Sequence, residues 1–272
     1  MRSLLVLLFL VATTAAQSTP PVSPAPNAPT QAAGAAEDQN AAKARAIIDQ
    51  MIAALGGQAY LTYQDLSQEG RTYSFYQGQP QGSGTVFWRF WKWPDKDRFE
   101  YTKQRDIVQI YNADDAFEIT FRGTGFIPKD KAEDYRRRRE HSLEHVLRDW
   151  LKQPGVALFY EGQSIAEQKT TDQVTIMTPQ NDAATLYIDV FTHLPIKKNF
   201  IYRDPQYRDR DVDSEVWGNY RTVQGIATPF TYSRTLNGEM VTQRYLTSAS
   251  YNAGLPDEMF VPRQPPPGKL KK

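Results

Sequence analysis

The sequence predicts an α+β domain built on one large, strongly curved antiparallel sheet of about ten strands, with helices covering its concave face. Three observations carry this. Glu215–Tyr251 reads as three antiparallel strands joined by tight turns at Gln224-Gly225 and Asn237-Gly238. Asn-Gly supplies the two positive-φ positions that a type I′ hairpin turn requires. Short strand-like runs recur at spacings of about ten residues between turn residues, as in an antiparallel sheet. Only two longer stretches carry a helical period, and no strand–helix–strand alternation is present, which excludes a parallel doubly wound sheet. A sheet of this size curls or closes, and helices on its concave side would enclose an apolar cavity.

The chain opens as an exported protein does. Arg2 precedes the apolar run Leu4–Val11, and small residues follow up to Ala16. This is the layout of a cleaved secretory signal peptide (1–16), and the run is shorter than the roughly 20 residues of a membrane-spanning helix. There is no cysteine among the 272 residues. Disulfides, thiolate metal sites, a cysteine nucleophile and a lipid-modified N-terminal cysteine are thereby excluded. The expected location is the periplasm, without a lipid anchor. The 32 Lys+Arg against 31 Asp+Glu become an even balance once Arg2 is removed, which argues against a nucleic-acid partner. Residues 17–40 are rich in Pro, Ala, Gln and Ser and carry no aromatic residue, the composition of a disordered linker. One domain is expected over 41–262, followed by a Pro- and Lys-rich disordered tail, 263–272.

Within that domain, Ala41–Leu55 places Ile47, Ile48, Met51, Ile52 and Leu55 on one helical stripe, stopped by Gly56-Gly57. Strands follow over Leu66–Tyr76, Gly82–Trp93, Arg98–Tyr101, Asp106–Tyr111 and Ala116–Phe121. Gly82–Trp93 has Trp88 and Phe90 on one face and Phe87, Trp91 and Trp93 on the other. Apolar residues on both faces imply that both are covered or that one meets a ligand. Asp130–Gln153 reads as a single helix with the stripe Leu143, Val146, Leu147, Trp150, Leu151, stopped by Pro154-Gly155. Strands resume over Ser164–Lys169, Gln173–Thr178, Ala184–Val190 and Ile196–Tyr202 before the closing meander. There, Val216 shares a face with Tyr220, and Phe230 with Tyr232.

Several constellations could carry chemistry. His141-Ser-Leu-Glu144-His145 matches H-x-x-E-H, the zinc motif of the inverted metalloproteases, with Glu144 as base and Glu215 as a downstream carboxylate. On a continuous helix the two histidines lie opposite Leu143, Val146 and Trp150, so the pair points to solvent, where a catalytic zinc would lack a second shell. Arg136–Arg139 is a run of arginines flanked by Glu133, Asp134, Glu140 and Glu144, which reads as a salt-bridged helix surface. Asp114-Asp115 and Asp211/Asp213 sit in polar stretches and read as turn residues, and His193 lies in a turn beside Asp189. No nucleophile elbow, phosphate loop or dinucleotide fingerprint is present. The candidate cavity lining is Trp88, Phe90, Val216, Tyr220, Phe230 and Tyr232. Simple core packing is the alternative role for each aromatic.

From Ala41 to Phe260 the chain resembles the periplasmic lipoprotein-carrier superfamily, the LolA/LolB/LppX-like outer-membrane lipoprotein-sorting proteins. The resemblance rests on the helix ending at Gly56-Gly57 and on the strand turning at Pro94 into Asp97-Arg98-Phe99-Glu100. It rests also on the turn Asp189-Val-Phe-Thr192-His-Leu-Pro195-Ile-Lys197, and on Asn219-Tyr220-Arg221 running through Gly225-Ile-Ala-Thr-Pro229. It implies a half-barrel whose helices close over an apolar cavity for lipid or a lipidated protein, with envelope membrane proteins as further partners, no cofactor and no catalysis. The competing expectations are a zinc-dependent hydrolase using residues 141–145 and an envelope interaction domain with a filled core.

Overall fold

The computed structural model describes residues 29–204 and 207–263. The expected signal peptide, the first part of the linker and the tail from residue 264 lie outside the described residues. Among the described residues there are four α-helices: α1 (Pro29–Leu55), α2 (Gln58–Thr62), α3 (Lys129–Glu140) and α4 (Leu143–Arg148). The strands are β1 (Asp65–Tyr76), β2 (Gln79–Pro80), β3 (Thr85–Lys92), β4 (Lys96–Tyr101), β5 (Ile107–Asn112), β6 (Asp115–Thr120) and β7 (Gly123–Phe126) in the first half. The second half supplies β8 (Ala157–Ala166), β9 (Lys169–Met177), β10 (Ala183–Asp189), β11 (Pro195–Arg203), β12 (Arg210–Val223), β13 (Ile226–Leu236) and β14 (Glu239–Tyr251).

All fourteen strands belong to one sheet, ordered β7-β6-β5-β4-β3-β1-β14-β13-β12-β11-β10-β9-β8, with β2 paired only to β1. This exceeds the expected ten because β2 and β7 are short and blur into turns in the sequence, and because the strand expected over Ser164–Lys169 instead spans the left-handed turn at Glu167-Gln168 that separates β8 from β9. The sheet is two antiparallel meanders that meet at one seam, where β1 pairs with β14. It is open, with β7 and β8 as its two edges. Both expected turns are present in left-handed backbone, with φ of 49° and 82° at Gln224-Gly225 and 52° and 84° at Asn237-Gly238. Register slips at Glu69/Gly70, Tyr160/Gly162, Tyr187/Ile188 and Arg234/Thr235 add local twist and bend, which is how so wide a sheet curves.

Helices cover one face. α1 begins at Pro29 rather than Ala41, because the alanine-rich end of the linker stretch favours helix. Asn40 ties it down: its side chain donates to the Tyr160 carbonyl and accepts from the Tyr160 N–H. Further along, Ala44, Ile47, Ile48, Met51 and Leu55 are buried against β8, β9 and β13. Each large apolar side chain so buried contributes about 1.5–3 kcal/mol. The chain then crosses from edge β7 to edge β8 through α3 and α4, laying both over the concave face.

The single helix expected over Asp130–Gln153 is in fact broken. His141 closes α3, and Ser142 takes an extended backbone (φ −64°, ψ 155°) and caps α4 by accepting from the His145 N–H. The break lets α3 bury Tyr135 while α4 independently buries Leu143, Val146, Leu147 and Arg148.

The opposite face of the first meander is also covered. Val108, Ile110 and Phe117 pack with Leu255 and Phe260 of the segment that follows β14. Asp65 anchors that segment by accepting from the N–H groups of Ala253, Gly254 and Leu255.

Candidate functional site

Between the concave face and the helices lies a cavity of about 230 Å³. Strand alternation builds its wall. β3 turns Arg89 and Trp91 inward, β4 turns Asp97, Phe99 and Tyr101, and β5 turns Gln109 and Tyr111. The second meander adds Glu215, Trp217 and Tyr220 from β12, Tyr232 from β13, and Arg244 and Leu246 from β14. Tyr135 and Arg138 of α3, Glu144 of α4, and Tyr60 and Tyr63 close it from the helical side. The expectation of a purely apolar cavity is therefore corrected: aromatic rings dominate, but charged groups sit among them.

The sequence candidates divide. Tyr220 and Tyr232 line the cavity; Trp88, Phe90, Val216 and Phe230 do not. Phe90 has the opposite phase on β3 and packs against the cluster covered by the C-terminal segment. Trp88 carries the Arg105 guanidinium 4.1 Å from its ring centroid, and Phe230 is buried beneath Arg221 at 4.3 Å. On β12 the cause is a backbone irregularity: Asn219 has φ 51°, so the inward series runs Glu215, Trp217, Tyr220 and leaves Val216 out. Val216 and Tyr220, which strict alternation puts on one face, therefore do not both reach the cavity. The residues missed are the inward charges Arg89, Asp97, Glu144 and Arg244. Their signal was present in the i, i+2 interleaving of charge and aromatic ring in Arg89-Phe-Trp91 and Asp97-Arg-Phe99.

Most of these charges are matched. Arg89 forks onto Asp97, with N–H to O distances of 2.9–3.1 Å. Asp97 also accepts from the Tyr135 hydroxyl at 2.7 Å, and Tyr135 stacks on Tyr111 at 3.6 Å between centroids. Lys198, fully buried, reaches Glu215 at 2.8 Å and donates to the His141 carbonyl. Glu215 accepts in turn from the Tyr232 hydroxyl. Burial works against ionisation of Glu215, yet Lys198, with Arg138 and Arg234, holds its carboxyl below the usual range. Asp213 is not the polar turn residue expected. It is completely buried, paired with Arg234, and burial raises its carboxyl above the usual value. Asp134 of α3 engages Arg137, Arg138 and Arg234, so the arginine run is pinned to the sheet and is not a free basic surface. Arg148 is buried, donates to the carbonyls of Tyr60 and Tyr63, and lies 4.1 Å from the Tyr63 ring centroid. Every acid lining the cavity is thus committed to an ion pair or a tyrosine hydroxyl: Asp97, Glu215, and Glu144, which accepts from Tyr63 at 2.9 Å.

The H-x-x-E-H motif falls across the helix break, and its histidines do not share a solvent-facing surface. His141 is buried and stacks on Phe200 at 4.4 Å, with Nδ1 against the Arg137 carbonyl. His145 packs on Trp93, and its two nitrogens meet Asp149 and the Pro94 carbonyl. The described residues hold no group of three or more potential ligands arranged for a metal ion. Asp189 is explained as a turn residue: it accepts from the N–H groups of Phe191 and Thr192.

No family model and no curated relative matches the chain. Solved structures do match it in fold. A putative outer membrane lipoprotein-sorting protein domain from Vibrio parahaemolyticus superposes with a TM-score of 0.53 at 11% identity, covering 81% of this chain and 97% of that one. The chain shares the fold of that domain. A DUF1329 family protein from Desulfovibrio piger superposes with a TM-score of 0.55 at 14% identity, covering 80% of this chain and 97% of that one. The features expected from the sequence, a curved antiparallel sheet that does not close and helices across it, are those seen in the architecture above. Among the described residues no helix is long and apolar enough to cross a membrane.

Proposed function

We propose that this protein is a non-catalytic periplasmic carrier or binding protein for lipid or lipoprotein acyl chains. One observation carries the reading: an aromatic-lined cavity lies between an open sheet and helices that cross it from edge to edge. Shared architecture with a lipoprotein-sorting domain supports it. At about 230 Å³ the cavity is smaller than the roughly 300–1,000 Å³ of most ligand pockets. A long chain therefore enters only when the α3–α4 layer lifts, and binding draws on burial of its apolar surface at about 25 cal/mol per Å². The commitment of the cavity's acids to ion pairs and tyrosine hydroxyls supports a binding role over acid–base chemistry.

Native mass spectrometry of the protein purified from a periplasm tests this. The expected result is protein carrying additional mass in the lipid range. A bare protein that also fails to take up oleate added in vitro overturns the reading and leaves the filled-core interaction domain in its place.

A further inference from the structure

Charge accounting inside the cavity leaves one cation over. Of the arginines lining it, Arg89 is paired with Asp97 and Arg138 with Asp134. Arg139 donates to the carbonyls of Asp95 and Ala113. Among the described residues, no hydrogen bond or ion pair engages the guanidinium of Arg244. Aromatic faces hold it instead: Phe99, Tyr232 and Phe87 have ring centroids 4.9, 5.4 and 5.7 Å away. β14 places Arg244 directly opposite Tyr232 on β13, which fixes its inward direction. A guanidinium held over rings keeps its planar fork of N–H donors free for a carboxylate or a phosphate.

The cavity is also polarised. Glu144 belongs to the other end, bonded to the Tyr63 hydroxyl, and its charge bears on Tyr60, Tyr220 and Tyr251. Arg244 bears on Tyr101 and Tyr232. Between the two ends Trp91, Trp217 and Leu246 line the wall, with the paired Arg89 and Asp97 among them. Arg148 offsets Glu144 at its end, and Asp97 and Glu215 are already engaged by Arg89 and Lys198, so the cation left without a polar partner is Arg244.

Resting on the carrier reading above, we propose that the cavity selects an anionic amphiphile. Its carboxylate or phosphate head takes the Arg244 fork, and its chain lies along Trp91 and Trp217. Uncharged chains of the same length bind less well, because they leave that guanidinium unpaired while displacing its water.

Calorimetric titration of the delipidated protein with four probes tests the proposal: oleate, oleyl alcohol, oleoyl lysophosphatidate and inorganic phosphate. One of the charged amphiphiles is expected to bind about tenfold or more tighter than oleyl alcohol, the scale of a charge-assisted contact. Whichever of the two binds tighter identifies the head group. Arg244→Gln is expected to abolish that preference, bringing the charged amphiphile and oleyl alcohol to the same affinity. Arg221→Gln, which alters an exposed arginine outside the cavity, is expected to retain it. Should Arg244→Gln fail to fold, Arg244→Met keeps the stem packing and makes the same test. Equal binding of oleate, lysophosphatidate and oleyl alcohol by the unaltered protein overturns this inference and leaves the carrier reading standing. Inorganic phosphate binding as tightly as lysophosphatidate also overturns it, since the site is then one for a free anion. Binding of none of the chain-bearing probes removes the carrier reading itself.

Discussion

Arg148 shows how much a single buried charge can organise. It lies 3% exposed, and its donors satisfy the Tyr60 and Tyr63 carbonyls just beyond the first helix. Arg148→Met keeps the stem but orphans two buried acceptors, each costing about 1–3 kcal/mol. Urea denaturation is expected to show a loss of about 3 kcal/mol. His141 governs a different property. Burial lowers its basicity, with Lys198 adding repulsion. A group whose folded pKa is depressed contributes stability above its unfolded value and loses it on acidification. Stability should therefore fall as pH drops below about 6.5, the ordinary histidine value, and His141→Gln should flatten that limb in thermal melts. Glu215, also depressed, adds a second loss below its ordinary 4.5, while Asp213, raised above 3.8, acts in the opposite direction over the same acid range.

Two elements are tested by small changes. At Gly70 a β-carbon would come within 2.2 Å of the Tyr245 carbonyl oxygen, in the bulge where β1 meets β14. Backbone on both sides leaves no flexible group to yield, so Gly70→Ala is expected to strain the seam and lower the melting temperature by several degrees or more. Ser142→Ala removes the α4 cap and should cost about 1 kcal/mol. The hairpins were legible in the sequence because Asn237-Gly238 and Gln224-Gly225 state their backbone requirement in residue type. The helical stripe of Ile47, Ile48, Met51 and Leu55 was legible because its period is unbroken. The break at Ser142 was not, because Leu143, Val146 and Trp150 keep a helical period on either side of it. The cavity lining was only half legible. Alternation assigns Tyr232, but the left-handed backbone at Asn219 that turns Trp217 and Tyr220 inward lies inside a long strand, where Gly218-Asn219 is a weaker cue than a Gly-containing turn between strands. On β3, alternation correctly separates Phe90 from Trp91, but it cannot say which face a distant C-terminal segment will cover.

For the molecule as a whole, α3 buries only Tyr135 among its residues and is held to the sheet largely by polar contacts, whereas α1 and α4 belong to the core. Asp134 bridges α3 to Arg234 on β13. Asp134→Ala is expected to reduce hydrogen-exchange protection across residues 129–140 while β9, β10 and β12 stay protected. Release of bound oleate should accelerate in the same variant if lifting this layer limits exit.

The seam has a consequence for how the molecule is made. β1 is joined to the second meander only through β14, the last of the described strands, with Leu66 meeting Tyr251. Until that strand arrives, both meanders present an unpaired edge, and the two halves of the sheet cannot join. Contacts so distant in sequence form slowly, and open edges invite wrong pairing. Completion of this fold therefore waits for nearly the entire polypeptide, which places its greatest risk of wrong pairing in the interval before β14 docks.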